Sequence, residues 1–381
     1  MKKIFSVVFI LVLVVSLAAC AAPATPAAAE KPAEAAAPAE KKGAVIAECI
    51  TKTGNIDDRS FCQGAYEGIK KYAAEFNKTY AYYQATGDST TDLVNCIGTA
   101  VDGGAEIVVT PGFAWGAAIY AAQDKYPQTK LVILDGEPHT EDYKTYRQEK
   151  NVFSIYYAEE ESGFLAGYAA VKNGSRKLGF LGGMAVPPVV RFGYGFVWGA
   201  DVAAQELGLQ KGDVTMNYHY LGNFNVSPEN QTYAASWYST GIDTIFAAAG
   251  DVTSVVSKAA NQVDPKYWVI GVDVNQGWDA TNILTSATKN LRGSTYQALD
   301  LYFSGKFPGG EKAILSAKED GVNIPTEKET WRFTNFTTAD YEAILAKLKD
   351  DTDGIASKIP MDTDYKTADL IPTVLVKVTV M

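Results

Sequence analysis

Residues 44–76 read AVIAECITKTGNIDDRSFCQGAYEGIKKYAAEF. The stretch opens with an apolar, β-branched run at 44–50, which is typical of a buried strand. A polar loop follows. Apolar residues then recur over 61–76 at spacings of three and four, which predicts a helix with one apolar face: Phe61, Ala65, Ile69, Tyr72, Ala73 and Phe76. The stretch is therefore a predicted strand–loop–helix unit.

The same alternation continues along the chain and then starts again. Further strand-like runs lie at 80–84, 106–110, 130–135, 177–182, 214–220, 243–248 and 267–273, with helix-length segments between them. Strands that alternate with helices imply parallel sheets joined by right-handed crossovers. Two successive series of similar size predict an α/β fold of two Rossmann-like lobes. In open parallel sheets the loops after the strand ends hold the ligand.

The chain is expected to cross between the lobes near 150–156 and again after Asp273. The predicted N-terminal lobe comprises 43–150 with about 276–310, and the predicted C-terminal lobe comprises 151–275 with about 311–381.

The N-terminus predicts export. Two lysines precede an apolar run over 4–19 that ends at Cys20, the pattern of a secretory signal. Leu17-Ala18-Ala19-Cys20 resembles the bacterial lipobox, so we expect 1–19 to be a signal peptide and Cys20 to be lipidated. The alternative is a plain signal with a chance cysteine. Ala, Pro, Glu and Lys dominate 20–42, which predicts a disordered linker between a membrane and the domain.

Composition excludes several classes of site. The net charge of −10 becomes −12 without Lys2 and Lys3, and no basic block is present, which argues against nucleic-acid binding. Cys49, Cys62 and Cys96 match no zinc spacing and permit at most one disulfide. The two histidines lie far apart in sequence. We therefore expect neither a metal site nor a cofactor.

The loop after the first strand is the first place where chemistry is expected. Asp57 or Asp58 can cap the following helix, whose first N–H groups suit polar ligand atoms. Phe61 is either a stacking surface for a ligand or an ordinary core residue.

This loop resembles a known family. Asp57-Asp58-Arg59-Ser60-Phe61-Cys62-Gln63 is similar to the Asp-Asp-Lys-Ser-Phe-Asn-Gln signature of the basic membrane protein family, lipoproteins that bind nucleosides for ABC transporters. Three further stretches resemble the family in the same order: 161–167 (ESGFLAG), 182–196 (GGM…P…RF…GF) and 271–276 (GVDVNQ). The resemblance implies a type I periplasmic-binding-protein fold, a monomer, and an ABC permease as partner.

The resemblance also implies a set of ligand contacts. Phe61 and Phe224 would stack on the two faces of a base, Asp135 would accept from ribose hydroxyls, and Asp273 and Lys289 would flank the sugar. The complete predicted set is Lys52, Asp58, Ser60, Phe61, Cys62, Asp135, Phe224, Gly250, Asp273 and Lys289. Each aspartate could instead cap the next helix, and the lysine could be a solvated charge.

Two positions depart from the family pattern. Lys52 stands where the family usually has Asp, and Cys62 where it usually has Asn. A cationic donor reverses what an acceptor can recognise. Lys52 thus predicts a base with a carbonyl at that edge, such as inosine, guanosine or a pyrimidine nucleoside, unless its side chain points into solvent.

The sequence is also compatible with two other functions. An exported hydrolase could cleave nucleosides with carboxylates alone, although the nucleophile-elbow, Walker A and zinc-protease motifs are absent from the sequence. A ligand sensor of the same fold is the other alternative.

Overall fold

The structure is a computed structural model that describes residues 43–381. The predicted signal peptide 1–19, the lipid anchor at Cys20 and the linker 20–42 lie outside the described residues. None of the three described cysteines forms a disulfide.

The first half of the described chain follows the predicted alternation closely. Its elements are β1 (Ile46–Ile50), α1 (Phe61–Phe76), β2 (Tyr80–Gln84), α2 (Thr90–Asp102), β3 (Ile107–Pro111), α3 (Gly116–Lys125), β4 (Lys130–Leu134) and β5 (Val152–Tyr157). The predicted helix over 61–76 is confirmed at both ends. Its apolar stripe packs as expected over most of its length, because Ala65, Ile69 and Tyr72 are buried.

The series then repeats. It comprises α4 (Glu159–Asn173), β6 (Lys177–Gly182), α5 (Pro187–Glu206), β7 (Thr215–Tyr220), α6 (Pro228–Ser239), β8 (Thr244–Ala248), α7 (Val252–Val263), β9 (Trp268–Asp273) and β10 (Ile283–Lys289). The remaining elements are α8 (Leu291–Phe303), β11 (Lys312–Leu315), β12 (Val322–Asn323), α9 (Thr338–Lys349) and β13 (Lys377–Val380).

The strands form two sheets with the same internal order. The first sheet runs β11-β5-β4-β3-β1-β2 and the second runs β12-β10-β9-β8-β6-β7-β13. Every pairing is parallel except that of β10 with β12. In the first sheet β1 lies between β2 and β3, and in the second sheet β6 lies in the same way between β7 and β8. This order places a switch point, where ligand crevices form, beside the first strand of each sheet.

Strand pairing divides the chain at points other than the predicted lobe boundaries. Val152–Tyr157, which follows the predicted boundary at 150, pairs with β4 in the first sheet. Ile283–Lys289 pairs with β9 in the second sheet, whereas Lys312–Leu315 returns to the first. The hydrophobic pattern locates strands but carries no information about which neighbour each one pairs with.

Helices cover both faces of the sheets. One core cluster joins β1, β3 and β4 to α2 and α3, and another joins β6, β8 and β9 to α6 and α7. The largest cluster contains the buried faces of α1, α4, α5 and α8. Burial on both faces explains why most strands read as continuous apolar runs rather than as alternating ones.

Helices α4 and α5 cross with their backbones in contact. An added Cβ would lie 2.1 Å from the Phe192 carbonyl oxygen at Gly163, and 1.9 Å from the Glu160 carbonyl oxygen at Gly195. Gly167 and Gly199, one turn further along each helix, meet the partner backbone in the same way. Four glycines at i, i+4 spacing therefore set the distance between the two helices.

Substituting one of these glycines should destabilise the fold. Gly195→Ala places a methyl group against backbone that cannot rotate away, so we expect the free energy of unfolding to fall by about 3 kcal/mol in urea titrations. Val202→Ala, at a half-buried position on the same helix, serves as the control and should cost about 1 kcal/mol. Equal losses for the two variants would contradict the close crossing.

Candidate functional site

A cavity of about 740 Å³ lies where the C-terminal ends of strands from both sheets meet. The first sheet contributes the loops after β1, β3 and β4, and the second contributes those after β6, β7, β8 and β9. The strand pattern predicts ligand binding at this edge of the sheets.

Aromatic side chains from both lobes line the cavity. Phe61 is the first residue of α1 in the first lobe, and Phe224 lies in the loop after β7 in the second. Phe224 is 42% exposed, and its ring packs on the backbone of Gly183. A large aromatic ring that remains this exposed beside a cavity is available to stack on a ligand.

A cluster of buried charges forms one wall. The Lys289 ammonium lies 2.5 Å from Asp135 Oδ2, 2.9 Å from Glu159 Oε1 and 3.9 Å from Asp273 Oδ1. The same nitrogen lies 4.8 Å from the centre of the Phe61 ring. Three carboxylates and an aromatic face therefore hold one cation at the cavity.

The ion pairs shift the pKa values of the charged groups in this cluster. Burial alone would lower the pKa of Lys289, but Asp135, Glu159 and Asp273 together raise it above its ordinary value. Burial alone would raise the pKa of Glu159, but the neighbouring Arg191 and Lys289 hold it below its ordinary value. The lysine is thus cationic and Glu159 is ionised at neutral pH.

Asp135 and Asp273 occupy equivalent positions in the two lobes. Asp135 directly follows β4, and Asp273 is the last residue of β9, the fourth strand of the second series. Each has a left-handed backbone, with φ of 58° and 66°. Non-glycine residues adopt this region at a cost, and such residues concentrate at functional sites. Burial raises the pKa of both carboxyl groups.

The loop after β1 is organised around Asp58. Its Oδ1 accepts hydrogen bonds from the backbone N–H groups of Ser60 and Gln63, and its Oδ2 accepts one from Cys62. The predicted capping of α1 by an aspartate is thereby confirmed. Ser60 Oγ donates to Asp273 Oδ2 at 2.5 Å, which ties this loop to the second lobe.

Seven of the ten predicted contact residues line the cavity: Asp58, Phe61, Asp135, Phe224, Gly250, Asp273 and Lys289. Ser60 and Cys62 do not line it but support residues that do. Lys52 is also outside the lining, and its side chain is exposed. The structure thus agrees with the alternative that Lys52 points into solvent.

Two charged residues beside the site were missed in the sequence. Glu159 is fully buried, and its Oε2 accepts from Arg191 Nε at 2.6 Å. Arg191 is the only cation of α5 and lies among apolar residues near its start, and a buried charge needs a partner. That pattern was the available signal, but it does not identify Glu159 as the partner.

The family model for "ABC transporter substrate-binding protein PnrA-like" matches residues 47–350. The chain belongs to this family of ABC transporter substrate-binding proteins. The resemblance read from the sequence is confirmed, and a substrate-binding protein of this kind takes a small molecule and works with a membrane permease outside the cytoplasm.

Two relatives illustrate the family. The chain is 32% identical over 306 residues to the ABC transporter nucleoside-binding protein BmpA of Lactococcus lactis subsp. cremoris, covering 74% of this chain and 82% of that protein. It is 29% identical over 274 residues to basic membrane protein D of Borreliella burgdorferi, covering 71% and 76%.

A solved structure confirms the fold. The crystal structure of an ABC transporter solute-binding protein from Aeropyrum pernix K1 matches with a TM-score of 0.65 at 22% identity, over 83% of this chain and 89% of that one. The PnrA-like chain therefore has the type I periplasmic-binding-protein fold. Within residues 43–381 no helix combines the length and the apolar character needed to cross a bilayer.

The buried acids predict how stability depends on pH. Burial and the nearby Glu159 raise the pKa of Glu160 to about 8, from an ordinary value of 4.5. The stability that this neutral group contributes is complete below the unfolded pKa and is lost as the pH rises through about 8. We expect the unfolding temperature to fall as the pH rises from about 5 to about 8, and Glu160→Gln to flatten that decline.

Differential scanning fluorimetry across this range measures the effect. Glu329→Gln removes an exposed carboxylate and should keep the wild-type slope. Parallel slopes for wild type and Glu160→Gln would rule out Glu160 as a source of the decline.

Proposed function

We propose that this PnrA-like protein is a lipid-anchored receptor that binds a nucleoside between its lobes and delivers it to an ABC importer. The observation that carries the proposal is the arrangement around one cavity of Phe61, Phe224 and the Asp135–Lys289–Asp273 cluster. A nucleoside has an aromatic base and a sugar diol, and the wall offers a counterpart to each. The Lactococcus lactis relative is named as a nucleoside-binding protein, which supports the same ligand class.

The aromatic pair would bind the base. Phe61 and Phe224 belong to different lobes, so a base stacked between them bridges the cleft. Stacking of a base on an aromatic side chain contributes about 1–3 kcal/mol and tolerates different bases. Exposed Lys52 plays no part in this proposal.

The carboxylates would bind the sugar. Asp135 Oδ2 is paired with Lys289, whereas Oδ1 has no hydrogen-bond partner among the described residues. A carboxylate that keeps acceptor capacity at a cavity wall suits the vicinal hydroxyl groups of ribose, and such charge-assisted bonds are strong. Asp273 provides a second acidic group beside the same lysine.

The charge of the wall favours an uncharged ligand. Asp58, Asp135, Asp251 and Asp273 line the cavity together with a single lysine, and that lysine is already neutralised by its partners. A phosphate group would find no unpaired cation among the lining residues. Nucleosides should therefore bind and nucleotides should not.

Binding would couple to the permease through the angle between the lobes. A ligand that contacts both lobes favours the closed form only by binding it better than the open form. The protein acts as a monomer, and no covalent step is required.

Calorimetry with inosine, guanosine, adenosine and uridine tests the ligand class. We expect at least one nucleoside to bind, Phe224→Ala to weaken it at least about tenfold, and Asp135→Asn to weaken it similarly. Tyr143→Ala removes an exposed aromatic side chain remote from the cavity and should leave the affinity unchanged.

The same samples test the alternative of a hydrolase. Incubation with each nucleoside should return it intact by liquid chromatography. Release of free base, with loss of that release in Asp135→Asn, would replace the receptor proposal with an enzyme.

The anchor has its own test. In intact cells, Cys20→Ser should prevent lipid attachment, so labelled palmitate should enter the wild-type protein but not the variant. Cys62→Ser is the control and should be labelled like wild type. Equal labelling of the Cys20→Ser protein would remove the anchor from the proposal.

A further inference from the structure

The C-terminal segment, residues 351–381, lies beyond the family match, which ends at residue 350. It packs on the second lobe at several points. Strand β13 extends the second sheet by pairing with β7, and the Tyr365 carbonyl accepts a hydrogen bond from Tyr194 of α5. The segment is therefore held both by α5 and by the edge of the second sheet.

Two charged side chains of α5 face this segment. Before its last residue, α5 contains only Arg191 and Asp201 as charged residues. The Asp201 carboxylate accepts from three consecutive backbone N–H groups of the segment, those of residues 374–376. Arg191 Nη1 lies 3.2 Å from Asp362 Oδ1. Each of these two charged side chains therefore has its partner in the C-terminal segment.

Further ion pairs connect Arg191 to the ligand cavity. From Asp362, charges of alternating sign follow one another: Arg191 Nη1 at 3.2 Å, Glu159 Oε2 at 2.6 Å from Arg191 Nε, and Lys289 Nζ at 2.9 Å from Glu159 Oε1. Lys289 then contacts Asp135 at the cavity wall. The chain of ion pairs runs from the C-terminal segment to the cavity.

These ion pairs are largely buried, so the position of one charged side chain affects that of the next. The side chains of Arg191 and Asp362 are 10% and 18% exposed, and those of Glu159 and Lys289 are 0% and 2% exposed. Buried or partly buried pairs are screened little by salt, and removing one partner leaves the other charge uncompensated. The carboxyl group of Glu160, 3.8 Å from the Arg191 guanidinium, is then a second acceptor within its reach.

We propose that Asp362 is a positioning residue of the ligand site. It holds Arg191 against Glu159, and Glu159 in turn holds the Lys289 ammonium at Asp135. Without Asp362 the guanidinium turns toward Glu160, Glu159 loses part of its neutralisation, and the lysine shifts away from the cavity wall. The proposal rests on the proposed function, because it assigns a role to residues of the same site.

Affinity for the tightest of the four nucleosides tests the role of Asp362. Asp362→Asn should weaken binding about tenfold, and Asp362→Glu, which restores the charge, should recover most of the loss. Asp369→Asn makes the same chemical change at an exposed position of the segment and should bind like wild type. Equal affinities for Asp362→Asn and Asp369→Asn would overturn the proposal.

A second readout needs no ligand. The ammonium protons of a buried lysine exchange slowly, so the Lys289 Nζ resonance can be followed in ¹⁵N-labelled apo protein and assigned with Lys289→Arg. We expect it to move in Asp362→Asn, to return in Asp362→Glu and to stay in place in Asp369→Asn. An unmoved resonance in Asp362→Asn would refute the relay even if the variant were less stable.

A double-mutant cycle separates positioning from general stability. If Asp362 acts through Arg191, the effect of Asp362→Asn on affinity should disappear in an Arg191→Met background. Additive losses would contradict the relay. If no nucleoside binds wild type, the proposed function fails, and the resonance experiment still decides whether Asp362 positions Lys289.

Discussion

The backbone contact between α4 and α5 is the constraint on which the site depends. Helix α4 leaves the first sheet and enters the second lobe, and α5 begins beside the cavity. Their glycines allow the Glu160 carbonyl to meet α5 at a distance that no larger residue permits. This close approach puts the acidic first turn of α4 beside Arg191, and so allows Glu159 to hold a cation from each side.

The charge cluster follows from that geometry. Taking an ionised group out of water is costly unless it is paired, and removing one member of a buried pair leaves the other charge uncompensated. Here Glu159 sits between Arg191 and Lys289, and Lys289 between Glu159 and Asp135. Burial raises the pKa of Asp135 and of Glu160, and the neighbouring Glu159 carboxylate raises both further. Each charged member of the wall therefore depends on a neighbour for its neutralisation.

Much of the fold could be predicted because its signals are local. Strand-like runs such as 130–135 and 267–273 coincide with β4 and β9 to within one residue, and α1 was placed correctly. The lobe to which each strand belongs could not be predicted from such local signals. β5 and β10 lie where the chain was expected to cross between the lobes, and only their pairing partners decide which sheet each one joins.

The ligand site, too, could be predicted from the sequence only in part. The family resemblance pointed to Asp135, Asp273, Phe61 and Phe224, and all four line the cavity. The strand pattern alone placed the two aspartates at strand ends, where each could equally have capped a helix. Lys52 was assigned to the cavity from its place in a motif, yet it is exposed and does not line the cavity. Glu159 was missed because three consecutive acids at a helix start are usually a response to the helix dipole.

The equivalent placement of Asp135 and Asp273 has a consequence for release. Each lobe presents a half-site built from the same position of the same strand order, and the lysine that joins them comes from only one lobe. A small rotation is then sufficient to take the two acids apart without melting either loop. A permease that pulls the lobes open can therefore empty the receptor while both halves stay folded and ready to close again.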